Sequence, residues 1–165
     1  MIRDAVVADA DGLGALHVRS WQATYRDQLP SEFLSGLDVG ARVKWFQRHI
    51  RGGTTVLVAE DDGYVVGFAS IGASRESDGG EVYAIYVDPA HWGRGHGYRL
   101  LSEAESKLWE MSFRWGVLWV LQANERARRF YERQSWKPTG ALKLENIGGS
   151  QVTEVRYEKI LQNAI

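Results

Sequence analysis

The spacing of apolar residues along the chain first predicts helices. Positions 39, 43, 46 and 50 are apolar, and this spacing of i, i+4, i+7 and i+11 places them on one face of a helix over roughly 39–50. An earlier helix is predicted to begin at Asp9 or Asp11, either of which can cap it, and to run to about Thr24. Residues 28–31, which include a proline, are predicted to end that region.

Runs rich in β-branched and aromatic residues predict strands. They fall at about 2–7, 54–60, 64–71, 81–87, 117–121, 139–146 and 151–161. The polar, glycine-bearing stretch 72–80 is predicted to be a loop. Two further helices separate the later strands, one opened by a glycine-rich turn at 91–97 and one capped by Asn124. The order β-αα-βββ-α-β-α-ββ predicts a mixed α/β fold with one central sheet flanked by helices.

The composition narrows the class of protein. A length of 165 residues fits one domain over 1–165. Twenty Lys and Arg against 21 Asp and Glu give a net charge of -1, so no overall field would attract nucleic acid or an acidic membrane. The absence of cysteine excludes disulfides, thiolate metal sites and a cysteine acyl-enzyme. With no signal-like N-terminus and no apolar run of about 18 residues, we expect a soluble, cytoplasmic protein.

The turn at 91–97 carries the strongest chemical signal. Its three glycines allow successive N–H groups to approach a ligand, and the helix N-terminus adds partial positive charge, so the turn favours a phosphate or pyrophosphate. A P-loop would end in Gly-Lys-Ser/Thr, where this chain has Gly97-Tyr98-Arg99. A dinucleotide fingerprint would need a glycine at Tyr98, which disfavours a nucleotide-binding oxidoreductase. A tight connection without a ligand is the remaining alternative.

Residues 92–97 resemble the acyl-CoA-binding motif of the GNAT superfamily of N-acyltransferases, Gln/Arg-x-x-Gly-x-Gly/Ala. Gly95 and Gly97 match this motif, and Trp92 replaces the leading Gln/Arg. Residues 117–132 are similar to the family's strand, cap asparagine and Phe-Tyr helix, although Ser135-Trp136 stands where the family has Gly-Phe. The resemblance covers nearly the whole chain. It implies the GNAT fold and direct transfer of an acetyl group from acetyl-CoA to a primary amine.

The resemblance also implies which residues hold acetyl-CoA, the cosubstrate. Amides around 93–98 would clasp the diphosphate, and the strand before the turn would pair with the pantetheine arm and polarise the thioester carbonyl. No metal is expected, because His17 and His49 lie in different predicted helices without ligand spacing. The implied cofactor-binding residues are Ile85, Tyr86, Val87, Trp92, Gly93, Arg94, Gly95, His96, Gly97, Tyr98 and Asn124.

Two residues are candidates for proton chemistry. An amine of pKa about 10.4 is only roughly 1 part in 2,500 neutral at pH 7, so the reaction benefits from a base. The resemblance places Glu81 in that role, acting through water; the alternative is a solvated acid that ends a polar loop. Tyr131 matches the family's general-acid tyrosine, and we expect it to act mainly by hydrogen bonding to the developing sulfur charge. The alternative for Tyr131 is a core residue.

The acceptor is implied to be a small-molecule or peptide amine. The first two helices and the loop 72–80 are where the family varies to hold it, and Trp21, Tyr25 and Tyr83 are expected to wall the pocket. Ordinary packing explains the Trp21 and Tyr25 pair equally well. A non-catalytic acyl-CoA sensor on the same fold is the main alternative, and the presence of both Glu81 and Tyr131 favours the enzyme. The resemblance leaves a homodimer open.

Overall fold

The computed structural model of the protein describes residues 1–163. Within that range, seven strands form one mixed sheet and helices cover both of its faces. The strands are β1 (Ile2–Asp4), β2 (Thr55–Asp61), β3 (Tyr64–Ala73), β4 (Gly80–Val87), β5 (Trp115–Leu121), β6 (Lys137–Ile147) and β7 (Ser150–Ile160). The helices are α1 (Ala10–Thr24), α2 (Ser31–Ser35), α3 (Val39–Arg51), α4 (His96–Glu110) and α5 (Glu125–Arg133). The predicted mixed α/β order is confirmed.

Most predicted helices are confirmed, and one helix was not expected. The helix predicted over 39–50 is α3, and the Asp38 carboxylate caps it by accepting a hydrogen bond from the Ala41 N–H at 3.2 Å. The five-residue helix α2 was not predicted, because Pro30 indicates a break in helix α1. Proline also suits the position just before a new helix, and Pro30 occupies that position in α2.

The N-terminal strand is shorter than the predicted strand 2–7. Residues Val7–Asp9 form a single 3₁₀ turn, in which the Asp9 carboxylate accepts a hydrogen bond from the Val6 N–H at 2.8 Å. The Arg3 guanidinium holds the same carboxylate at 2.8 Å. Asp9 therefore caps this turn and makes no side-chain cap on α1, which begins at Ala10.

Two apolar cores lie on opposite faces of the sheet. Helix α4 packs on one face through Leu100, Leu101, Ala104 and Leu108, and α5 extends the same core with Tyr131. Helices α1 and α3 pack on the other face through Leu13, Leu16 and Phe46. Each fully buried aliphatic side chain contributes about 1.5–3 kcal/mol of transfer free energy, so these stripes fix the helices on the sheet.

The sheet opens between its central strands. The strand order is β1-β2-β3-β4-β5-β7-β6, and β4 and β5 are parallel whereas the other neighbours are antiparallel. The two parallel strands pair only at Gly80 with Gly116 and at Glu81 with Val117. Beyond these pairs β4 runs on to Val87 and β5 to Leu121 without joining. The unpaired edges leave main-chain groups free to meet a ligand.

Candidate active site

The gap between β4 and β5 belongs to a cleft of about 990 Å³. Its two ends differ in what surrounds them. The turn end is lined by Trp92, Gly93, Gly95, Gly97, Tyr98, Asn124 and Arg126. The α1 end is lined by His17, Trp21, Tyr25, Gln28, Trp119, Ile147 and Glu154. The side chain of Tyr131 lies along the cleft between them.

The turn end is formed by main chain at the start of α4. Gly93 and Gly95 adopt φ values of 78° and 81°, in the left-handed region that L side chains rarely occupy. Gly95 caps α4, and its carbonyl accepts the first helical hydrogen bond from the Arg99 N–H at 3.1 Å. The N–H groups of residues 96–98 precede that bond and have no partner within the helix. Unpaired amides at a helix N-terminus suit the oxygens of a diphosphate.

Trp92, which replaces the motif's Gln/Arg, fastens the turn to its neighbours. Its indole N–H donates to the Val87 carbonyl at 2.8 Å. The Arg126 guanidinium of α5 lies 3.6 Å from the centroid of the Trp92 ring, within cation–π distance. Burial lowers the pKa of Arg126. Trp92 therefore joins β4 and α5 across the turn end, and it brings Arg126 to the cleft.

The main chain of β4 presents alternate residues to the gap. The Asp88 N–H donates to the Val66 carbonyl of β3 at 2.8 Å, and antiparallel alternation then directs the main chain of Tyr86 toward β3 as well. Ile85 and Val87 direct their main-chain groups toward β5. Since the Val87 carbonyl already accepts the Trp92 indole, Ile85 offers the free N–H and carbonyl pair.

A bulge in β4 places Tyr83 at the cleft. Ser70 pairs with Ala84 and the next residue, Ile71, pairs with Val82, which leaves Tyr83 as an extra residue. The Tyr83 hydroxyl donates to the Ala73 carbonyl of β3, so its ring lines the cleft while its polar end is held by the sheet. Burial raises the pKa of this hydroxyl.

Glu81 lies beside the cleft, and its side chain is not among those that line it. The residue is 2% exposed. One carboxylate oxygen lies 2.6 Å from the Arg75 guanidinium, and the other accepts the Arg75 main-chain N–H at 3.1 Å. The carboxylate is thus held in an ion pair at the first residues of β4, where β4 and β5 are still paired.

Helix α5 carries the two other residues singled out in the second motif. The Asn124 side chain accepts a hydrogen bond from the Ala127 N–H at 3.2 Å, which confirms it as the cap of α5. Tyr131 is 8% exposed and lines the cleft. Burial raises the pKa of the Tyr131 hydroxyl well above its ordinary value, so the hydroxyl is neutral at physiological pH and acts as a hydrogen-bond donor.

The side chains of two residues expected to contact phosphate differ in their relation to the cleft, because His96 lines it and Arg94 does not. The His96 side chain is 4% exposed, with Nδ1 3.0 Å from Arg99 and Nε2 3.5 Å from the Asp61 carboxylate. Burial, followed by the charge of Arg99, lowers the pKa of His96, so the imidazole adds no positive charge to the turn. Arg94 is exposed and does not line the cleft.

The α1 end is walled by aromatic rings. Trp21 and Tyr25 contact edge to face with centroids 5.0 Å apart, and the Tyr25 hydroxyl lies 2.9 Å from that of Tyr86. His17 packs 5.5 Å from the Tyr86 ring. Burial, followed by the charge of Arg42, lowers the pKa of His17 to about 4, so this imidazole is neutral at pH 7. Trp21 and Tyr25 thus line the α1 end of the cleft.

Among the lining residues that were not predicted from the sequence, four at the α1 end carry polar or aromatic side chains that could contact an acceptor. They are His17, Gln28, Trp119 and Glu154. His17 was considered only as a metal ligand, and Glu154 lies in a strand of alternating polar residues that indicates solvent exposure. Only the pairing of β7 with β5, which sets Glu154 opposite Leu121, brings that carboxylate to the cleft.

Comparison with known proteins identifies the family. A model described as the Acetyltransferase (GNAT) family matches residues 18–136. The chain belongs to the GNAT acetyltransferase family. It is 35% identical over 159 residues to the uncharacterised N-acetyltransferase YuaI of Bacillus subtilis, a match that covers 93% of this chain and 89% of that protein.

Solved structures agree with the GNAT fold. A ribosomal-protein-alanine N-acetyltransferase from Brucella melitensis superposes with a TM-score of 0.77 and 26% identity, covering 98% of this chain and 99% of that chain. The structure of yncA, a putative acetyltransferase from Salmonella typhimurium with its cofactor acetyl-CoA, superposes with a TM-score of 0.75 and 24% identity, covering 100% and 95%. The predicted fold and the predicted enzyme class, an N-acetyltransferase, are confirmed.

Metal-ligand clusters and membrane-spanning helices are both absent from the described residues. Among residues 1–163, no group of three or more His, Asp or Glu side chains is arranged to hold a metal ion. No helix in the described part of the chain has the length and apolarity needed to cross a bilayer.

Proposed function

We propose that the protein transfers an acetyl group from acetyl-CoA directly to a primary amine, with both substrates bound in the cleft at once. The observation that carries this proposal is the continuity of the cleft, which runs from the free amides of α4, past Tyr131, to the aromatic wall of α1. Direct transfer is consistent with the lack of cysteine, which excludes a cysteine acyl-enzyme.

The turn end fits the diphosphate of acetyl-CoA, and the cosubstrate would supply the activated acetyl thioester. The amides of residues 96–98 and the partial charge of the helix N-terminus would bind the diphosphate oxygens. The guanidinium of Arg126 would add a full positive charge beside them. Ile85, whose main-chain groups face the gap, would bind the amide groups of the pantetheine arm and polarise the thioester carbonyl.

Tyr131 would stabilise the departing thiolate. Its buried hydroxyl is neutral, because burial raises its pKa, and it can donate a hydrogen bond to a sulfur atom that gains negative charge. A hydroxyl with a raised pKa is a poor source of a full proton near pH 7. Its contribution would therefore be the hydrogen bond itself.

Glu81 would accept the amine's proton through intervening water. Its carboxylate lies at the start of β4, one residue before Val82, whose side chain lines the cleft. The ion pair with Arg75 fixes the position of the carboxylate. A water chain beside Val82 is the path that this arrangement requires.

A non-catalytic acyl-CoA sensor is the second candidate. A sensor has no need of an acceptor pocket, so a cleft closed at the α1 end would favour it. The cleft instead extends to the α1 end, where Trp21, Tyr25 and Gln28 line it. This observation supports an acceptor and hence the enzyme.

Thiol release from acetyl-CoA against a panel of primary amines tests the proposal. We expect turnover with at least one amine, and a loss of about a hundredfold in kcat for Glu81→Gln because a positioned base contributes at least that much. Glu76→Gln, which removes an exposed acid from the loop before β4, is the control and should keep wild-type kcat. Calorimetry should show CoA binding that is the same in all three proteins.

Two results would contradict the proposal in different ways. CoA binding without thiol release for any amine would identify a sensor. A Glu81→Gln variant with normal kcat and a lowered melting temperature would give Glu81 a structural role, through its ion pair with Arg75.

A further inference from the structure

We propose that the acceptor is a diamine or polyamine, and that Glu154 binds the ammonium group that does not react. This inference rests on the proposed acetyl transfer and names its acceptor class. It follows from where Glu154 lies, from the charges of the cleft, and from the unpaired polar atoms of the α1 end.

Glu154 lies on the face of the sheet that the acceptor pocket occupies. In β7, Val155 and Tyr157 point into the core under α4 and α5, so Glu154 points to the opposite face, where α1 packs on the neighbouring strands. Its neighbour across β5 is Leu121, at the end of the strand where β4 and β5 have separated. The carboxylate thus lies at the open part of the cleft, and its charge adds to the burial that raises the pKa of Tyr25.

The charges around Glu154 favour a cationic ligand. Lys143 lies 3.3 Å from Glu154, but it also lies 3.7 Å from Glu145, so one cation serves two carboxylates and the group keeps a net charge of -1. The arginines that line the cleft, Arg126 and Arg133, both belong to α5 on the other face of the sheet. No lysine or arginine is among the described residues that line the α1 end, and Arg42, which lies 5.7 Å from the centroid of the Trp21 ring, does not line the cleft.

The unpaired polar atoms of the α1 end also suit N–H donors. The Gln28 carbonyl oxygen is buried and has no hydrogen-bond partner within the described chain. The same is true of His17 Nδ1, which is also buried without a partner. Both are able to accept a hydrogen bond, the second because its imidazole is neutral. An ammonium group offers three N–H donors, so Glu154 and Gln28 together can satisfy it.

The aromatic side chains fit the methylene chain that joins two amines. The rings of Trp21, Tyr25 and Trp119 line the same end of the cleft and provide apolar surface for aliphatic carbon. A π-face also attracts an ammonium group, as Lys143 shows by lying 4.4 Å from the centroid of Trp119. A linear diamine would extend from the thioester past these rings to Glu154.

The test compares 1,4-diaminobutane and spermidine with n-butylamine and L-norleucine. We expect the wild type to have a kcat/KM at least tenfold higher for the two polyamines than for n-butylamine, and to use L-norleucine least. In Glu154→Gln the ratio of diaminobutane to butylamine should fall about ten- to hundredfold, the value of a hydrogen bond to a charged group. The control, Glu158→Gln, removes a carboxylate of the same strand that pairs with Arg156 and does not line the cleft, and it should leave the ratio unchanged.

Binding provides a second readout that does not depend on turnover. Calorimetry on the CoA complex should show tighter binding of diaminobutane than of butylamine, and Glu154→Gln should lose this difference. An unchanged ratio and unchanged binding in Glu154→Gln would overturn the inference, as would L-norleucine as the preferred acceptor. Failure of CoA to bind would instead overturn the proposed function.

Discussion

The two ends of the cleft are formed by different parts of the polypeptide, main chain at the turn end and side chains at the α1 end. At the turn end, consecutive residues between β4 and α4 supply main-chain amides, and two positive φ values at Gly93 and Gly95 shape them. At the α1 end, side chains arrive from four separate parts of the chain, from His17 on α1 to Glu154 on β7. The first end is encoded locally, whereas the second exists only once the whole sheet has formed.

This difference predicts that the turn end is general for a diphosphate and that the α1 end is selective for one acceptor. Main-chain amides bind any diphosphate, and they change little when surface side chains change. A wall of side chains changes with every substitution, so it can be fitted to one acceptor. The ion pair between Arg19 of α1 and Asp88 before the turn, at 2.6 Å, links the two ends.

Tyr131 lies where the two ends meet, so of the changes that compare the two ends its removal should have the largest effect. In Tyr131→Phe we expect kcat to fall about tenfold to a hundredfold, because a hydrogen bond to a charged sulfur is lost. The KM for acetyl-CoA should change less than threefold, since the contacts proposed for the diphosphate and the pantetheine arm do not involve the Tyr131 hydroxyl. Steady-state thiol release at saturating amine measures both constants.

Tyr157→Phe is the matched control for that experiment. The Tyr157 hydroxyl is also buried, but it is bonded to Glu132 at 2.7 Å and to Arg128 at 3.2 Å and does not line the cleft. Its loss should lower the melting temperature and leave kcat within about twofold. Equal kcat for wild type and Tyr131→Phe would show that Tyr131 serves only in packing. The residue would then play no part in the reaction between the two ends of the cleft.

A pair of glycine substitutions tests whether the main chain of the turn end binds the diphosphate of CoA. Gly95 and Gly53 have φ values of 81° and 86°, and a Cβ at either position meets no atom within 4 Å. Each change to alanine should therefore cost about 1–2 kcal/mol of stability through backbone conformation alone. Only Gly95→Ala should also weaken CoA binding, by about tenfold, because the amides of α4 would turn away from the diphosphate.

Calorimetry with CoA and thermal melts of both glycine variants check this expectation. Gly53 lies between α3 and β2, away from the cleft, so its variant measures strain without any effect on the ligand. Equal CoA affinity in the two variants would show that the turn does not bind the diphosphate.

The sequence was sufficient for the fold because the fold rests on local patterns. The 3.6-residue spacing in α3 and the β-branched runs of the strands are visible without tertiary information. Helix α2 was missed because five residues carry too little periodicity. Strand β1 was overextended because the β-branched Val6 and Val7 favour a strand, whereas Val7–Asp9 form a 3₁₀ turn.

Local sequence patterns predict only part of the site. The glycines of the turn and the cap at Asn124 act on their own segment, so their roles follow from neighbouring residues. The contacts of Glu81, Trp92 and Glu154 do not follow from neighbouring residues, because they depend on which segments of the chain meet in the fold. Trp92 could not be understood until Arg126 and the Val87 carbonyl were placed beside it.

The smallest expected effect concerns the end of α5, where the family's glycine is replaced by Ser135. This serine has a φ of 65°, in the left-handed region, so its Cβ is strained. Ser135→Gly should raise stability by about 0.5–1 kcal/mol and the melting temperature by about 1–4 °C. Ser135→Ala, which keeps the Cβ and removes the hydroxyl, should give no such gain. Calorimetric melts compare the three proteins, and a lower melting temperature for the glycine variant would mean that the serine hydroxyl outweighs the strain.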